Sequence, residues 1–250
     1  MSKHDKRLSK HCSNRGFTLA ELAIVLLIVG LLLAGILTPI STQVDLQRIT
    51  QTQKMLDEAK DALIGYTASQ SPPHLPCPDK TTAPGLGTAN DGQEDFDPTT
   101  GQCVTQEGNI PWSTLGVAPV DSWGNRLHYR VTAAFSNRSP LTTLSLTSTG
   151  DIRICSTAGC AAAAAIANNI PVIILSYGKN GYGAINATGG ANPLVPAGNA
   201  DEIENTNQNT TFVSRAKTDP GTGAGEFDDI VTWLSSGVLF NRLIAAQKLP

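Results

Sequence analysis

Hydrophobic and polar positions divide the chain into distinct stretches. From Leu22 to Leu37 sixteen consecutive residues carry no charge, and Phe17 to Ala20 extend the apolar run past a single acid, Glu21. That total matches the roughly 20 residues a helix needs to cross a bilayer. Beyond Pro39 the pattern becomes a stripe. Ile49, Thr52, Leu56, Ala59, Leu63 and Tyr66 recur at spacings of three and four, while Asp57, Glu58, Lys60 and Asp61 fall off that seam. The spacing predicts one helix from about Phe17 to about Thr67, apolar in its first half and amphipathic in its second. Four prolines within SQSPPHLPCPD end it. Residues 77–111 have almost no apolar periodicity and read as loop. Runs at Arg126–Thr132, Leu141–Thr147, Ile152–Cys155, Ile170–Tyr177 and Thr211–Arg215 predict strands, IPVIILSYG most strongly. Val238, Leu239, Arg242, Leu243 and Ala246 stand at helical spacing after a serine cap, which predicts a terminal helix. The expected fold class is α+β, a long N-terminal helix packed on a small antiparallel sheet with long loops. Four segments follow: a leader at 1–16, a transmembrane helix at 17–38, its amphipathic continuation at 39–70, and a globular domain at 71–250.

Charge adds a direction to this layout. Residues 1–16 carry five Lys/Arg and one acid, yet the whole chain has a formal net charge of −3, so everything after Gly16 is acidic on balance. No basic nucleic-acid surface is present in that part. Charged residues make up 16% of the chain, below the roughly 25% of ordinary soluble domains, and Gly, Pro, Ser, Thr and Asn are abundant. That composition suits a loop-rich domain of the secreted type. A basic head before an apolar run is a targeting signal whose charges stay in the cytoplasm. A cleaved secretory signal would need a small-x-small site, which LTPISTQ lacks, and a lipoprotein signal would need a cysteine where LLAGI has Ile36. A plain anchor leaves Glu21 unexplained, because a charged group in hydrocarbon costs about 2.5–3.5 kcal/mol on insertion scales.

The stretch RGFTLAELAIVLLIVG answers that difficulty. A Gly16–Phe17 junction follows the basic leader, Glu21 is the fifth residue after it, and the apolar run comes next. This arrangement resembles the class III signal of type IV pilins and type II secretion pseudopilins. The resemblance implies that a prepilin peptidase cuts after Gly16 and methylates the new amine of Phe17. It implies that Glu21 answers that amine when N-terminal helices pack in a filament. It also implies a single-pass protein of the bacterial inner membrane with its C-terminal domain in the periplasm, later extracted into a pilus or pseudopilus. The partners would be other pilin or pseudopilin subunits and the inner-membrane assembly platform. The family usually has a proline at the twenty-second mature position. Here that place is Thr38 and Pro39 follows, so a kink is expected one residue late. Mature length points to a minor subunit. The competing reading is a membrane-anchored envelope enzyme or ligand-binding protein that does not polymerise.

Of the five cysteines, Cys12 lies in the leader, leaving Cys77, Cys103, Cys155 and Cys160. An oxidising compartment favours disulfides over zinc, and four cysteines allow three connectivities. The favoured one joins Cys77 to Cys103 and Cys155 to Cys160. VDSWGNRLHYRV resembles a segment of the major pseudopilin through Asp121, Trp123, Gly124, Asn125 and Tyr129, with a turn at Gly124–Asn125 and Trp123 over the core. LSYGKNGYGA and GEFDDIVTWL resemble elements that bracket a calcium loop in that family. Asp228 or Asp229 would be the carried-over carboxylate, Asn180 stands where the family has an aspartate, and Asp201, Glu202 and Glu204 are substitutes. A solvated acidic loop is the alternative. The second acidic cluster, with Asp91, Glu94, Asp95 and Asp97, lacks the spacing of a calcium-binding EF-hand and reads as solvated loop. GKNGYG is not a phosphate loop. His74 and His128 suggest no catalytic triad, so no enzyme is expected.

Overall fold

The apolar run and the stripe form one helix, α1 (Leu19–Ser69). The computed structural model describes residues 16–139, 144–223 and 225–249, without the side chains of residues 33–41. The helix is continuous in secondary structure through Thr38 and Pro39, the place of the expected kink. By its contacts the chain divides into two units, residues 1–46 and 47–250.

In the first unit, Leu22, Ile24, Val25, Leu26, Leu27 and Ile28 are all exposed. Among the described residues no helix is long and apolar enough to cross a membrane. The side chains of residues 33–38, the remainder of the expected span, are outside the description.

The second unit continues with β1 (Glu107–Asn109), α2 (Trp112–Leu115), β2 (His128–Val131), α3 (Ala133–Ser136) and β3 (Ile152–Cys155). A short 3₁₀ turn then leads to β4 (Ala167–Ile170), β5 (Val172–Ser176) and α4 (Ala200–Glu204). The chain closes with β6 (Thr211–Val213), β7 (Ile230–Leu234) and α5 (Ser236–Ala245). Instead of one antiparallel sheet there are two among the described residues. The first has the order β1-β2-β5-β7 and is antiparallel throughout; the second has the order β4-β3-β6, with β3 and β6 parallel. The strand expected at Leu141–Thr147 does not form over residues 144–147, and residues 140–143 are outside the described residues.

Alternation along the central strands explains the layering. Tyr129, Val131, Val172 and Ile174 point to one face, where they pack with Leu56, Ala59 and Leu63 of α1 and Leu239 and Leu243 of α5. Ile173 and Leu175 point to the other, against Ile152, Ile154 and Phe212 of the second sheet. The predicted seam on α1 is the buried one, since Thr52, Leu56, Ala59 and Leu63 are all at most 2% exposed. Ser235 caps α5 by accepting from Val238 N–H. Both disulfides form, Cys77–Cys103 and Cys155–Cys160.

The long loop between α1 and β1 is not simply solvated. Asp79 is fully buried and accepts from the N–H groups of Asn90 and Gly92 and from Asn109 Nδ2. Asp95 is buried too and accepts from Lys80 N–H. Glu94 accepts from Tyr66 Oη and Cys77 N–H and pairs with Arg138. Inward-turned carboxylates gather backbone donors that would otherwise be orphaned, and they organise a segment with no apolar periodicity of its own. Burial pushes Asp79 up to about 6, with Asp91 and Asp95 adding to the rise and the donors from Gly92 and Asn109 opposing it. A carboxyl raised on folding contributes stability that is complete below the ordinary carboxylate range and is lost as pH rises through about 6. Asp79→Asn should therefore flatten the fall in stability between pH 4 and 7, read as urea midpoints; an unchanged slope would refute this assignment.

Candidate functional site

Two groups of residues singled out by the sequence have a defined geometry. The first is at the start of α1. Thr18 precedes the helix, and its N–H and Oγ1 both donate to Glu21 Oε2, at 2.7 and 2.9 Å. In return Glu21 N–H donates to Thr18 Oγ1 at 3.2 Å. This is a reciprocal capping box, in which an N-cap hydroxyl and a carboxylate three residues on satisfy each other's N–H groups. Thr-x-x-Glu ahead of an apolar run is itself the sequence signature of such a cap, a role that reading Glu21 only as an amine's partner leaves out. Gly16, Phe17 and Thr18 stay outside the helix and exposed, Phe17 at 79%. The Gly16–Phe17 peptide is thus non-helical and accessible.

The second group is acidic. Strand β5 ends in the turn Tyr177–Gly183, α4 carries Glu202, and Asp228 and Asp229 immediately precede β7. Glu202, Asp228 and Asp229 each bring a carboxylate oxygen within 4.8 Å of the others. Gly178 adopts φ +59°, and a Cβ there would lie 2.3 Å from Asp228 Oδ1, so only glycine lets the turn close on that carboxylate. Lys179 and Asn180 N–H both donate to Asp228 Oδ2 at 3.0 Å, and Asp228 N–H donates to Glu202 Oε1 at 3.1 Å. Asp229 accepts from Asn205 Nδ2 at 2.7 Å. Asp228 Oδ1 is buried with no hydrogen-bond partner among the described residues. Burial pushes Asp228 up to about 6, backbone donors from Asn180 and Lys179 oppose the rise, and Glu202 and Glu226 add to it. Burial likewise raises Glu202 and drives Asp229 well up. Two buried acids and a half-buried one stand at close range, one with an oxygen aimed at no donor, and oxygen ligands of this kind are the type a hard divalent cation takes.

The residues expected there are redistributed. Asn180 joins the group as a donor, giving Nδ2 to Glu202 Oε1 at 2.8 Å, while its Oδ1 accepts from Tyr182 N–H. Asp201 turns away to Arg215 and Ala158, and Glu204 to Asn207 and Asn209. Glu202 is the member with no specific signal beyond lying in an acidic run. In the DSWGN turn Asp121 proves central: it is buried, accepts from Trp123 and Asn125 N–H, and takes the Ser176 hydroxyl at 2.6 Å. Trp123 is only half-buried and belongs to neither core cluster. His74 Nδ1 sits 2.8 Å from Pro72 O, so that histidine is held by backbone.

Residues 12–37 match a family model described as the prokaryotic N-terminal methylation motif, the prepilin-type signal of type IV pilins and pseudopilins. No curated protein and no solved structure matches the chain.

Proposed function

We propose that a chain carrying this signal is a type IV pilin-like structural subunit, a minor pilin or pseudopilin. It is inserted in the bacterial inner membrane by the apolar run, cut between Gly16 and Phe17 by a prepilin peptidase, methylated on Phe17, and assembled with sibling subunits on an inner-membrane platform. The observation that carries this reading is the motif over residues 12–37, with its cleavage junction, glutamate and apolar run in fixed register. The exposed leucines, isoleucines and valines of residues 22–32 support it, because a continuous apolar surface needs lipid or other apolar helices for a partner. Coexpression with a prepilin peptidase, followed by N-terminal sequencing, should give a mature chain starting at Phe17. A start beyond Leu37 would replace this reading with an ordinary secretory signal.

A second reading concerns the acidic group in the globular domain. Glu202, Asp228 and Asp229 would hold a calcium ion, with Asn180 positioning Glu202. The buried and unpartnered Asp228 Oδ1 supports it. A bound ion would offset the mutual repulsion of the three carboxylates, and it would tie α4, the β5–α4 segment and the start of β7 together.

A further inference from the structure

The face of the first sheet that packs on the second sheet is apolar along β5 but changes character on β1 and β2. There Glu107 stands opposite Arg130, and Asn109 opposite His128. The polar side chains floor a groove made of two cavities of about 100 and about 390 Å³, which share Thr81, Glu107 and Gln208. Thr81 and Thr82 of the long loop form one wall, and the turn carrying Gln208 forms another.

The charges in this groove are already answered within the protein. Glu107 Oε2 lies 3.4 Å from Arg130 Nη1, and Arg130 Nη2 lies 3.2 Å from Asp151. His128 Nε2 is 3.1 Å from Glu107 Oε1, close enough for an ion pair though not aligned as a hydrogen bond. Lys80 gives its ammonium to the carbonyls of Gly85 and Leu86, at 3.1 and 2.7 Å. Arg126, which also lines the groove, gives its guanidinium to the carbonyls of Pro119 and Ala187. A charged ligand would have to displace contacts already made. An apolar one would strand the hydroxyls and amides of the walls. A peptide adding to β1 as a strand would meet an occupied edge, because Asp79 already bridges Asn109. What remains is a neutral ligand that both donates and accepts over its whole surface.

We propose that this groove binds a neutral saccharide of one or two rings, whose hydroxyls meet Glu107 and Arg130 on the floor and Thr82 and Gln208 at the rim. A carboxylate beside a guanidinium offers an acceptor and a donor side by side, which suits adjacent ring hydroxyls. Gln208 adds a separate observation: it is held at φ +58°, an uncommon conformation for a residue other than glycine, and strain of this kind clusters where a structure aims a side chain at a ligand.

The test uses the full-length protein in a sugar-free detergent, titrated with maltose, cellobiose, lactose and N,N′-diacetylchitobiose while ligand NMR signals are followed by saturation transfer. At least one disaccharide should bind, and Gln208→Gly and Thr82→Val should each weaken it about fivefold, the value of one lost hydrogen bond. Gln208→Gly relieves the positive φ, so its thermal midpoint should not fall and misfolding cannot account for the loss. No binding by any of the four sugars, or binding that both variants leave unchanged, would overturn the proposal.

Discussion

Glu21→Leu is expected to be inserted and cut after Gly16 like the wild type, and yet to enter filaments at least tenfold less well. Leucine makes the run more apolar, so insertion is not impaired. Two things are lost. The first is the capping box with Thr18, a local contribution to the start of the helix. The second is the carboxylate that would answer the Phe17 amine of a packed neighbour. Removing one partner of a desolvated pair leaves the other charge buried and unanswered, which is why the larger effect falls on assembly. Glu21→Gln separates the two terms, because an amide oxygen still accepts from Thr18 while the charge is gone. It should keep the helix start and still assemble poorly, measured by complementation in the native machine. If Glu21→Gln assembled as well as the wild type, capping would be the whole role of Glu21 and the amine argument would fail.

Calcium is expected to raise the melting temperature of the full-length protein by about 5–10 °C. A ligand at a hundredfold excess over its dissociation constant stabilises the folded state by about 2.7 kcal/mol. A domain of this size gains about 2–4 °C per kcal/mol. Magnesium should do much less, since it demands a tighter octahedral shell and gives up its waters reluctantly. Asp228→Asn keeps an oxygen for the Lys179 and Asn180 N–H groups but removes the charge, and it should abolish the calcium shift. Calcium that leaves the wild type unmoved, or moves Asp228→Asn equally, would mean that the three acids are held by their hydrogen bonds alone.

How far the sequence revealed this structure depended on the range of the interactions involved. Helix α1 was legible because its stripe is a local pattern, and Leu56, Ala59 and Leu63 are buried as their spacing requires. Strands β3 and β5 were legible from compact β-branched runs. Strands β1, β4 and β7 were not: β1 is three residues inside a polar loop, and β4 reads Ala-Asn-Asn-Ile with its middle exposed. These strands exist through pairing with distant partners, and tertiary context decides such cases. The parallel β3–β6 pair has no local signal at all. In the acidic loops sequence could count charges without saying which turn inward. Asp79 and Asp95 are buried because backbone donors converge on them, and that convergence depends on the fold of the whole loop. The same holds for Glu202, which joins Asp228 and Asp229 only once α4 is docked.

Within residues 47–250, α1 is tied to its surroundings by polar contacts spread along its length. Ser122 N–H reaches Thr52 Oγ1, Tyr66 Oη reaches Glu94, and Lys248 Nζ reaches the carbonyl of Gln70 just past the helix end. A pull along the helix axis would load these bonds and the buried seam in shear. Contacts loaded side by side share the tension and must yield together, whereas contacts peeled from one end yield one at a time. A pull along this part of the helix is therefore expected to be resisted by all of these contacts at once.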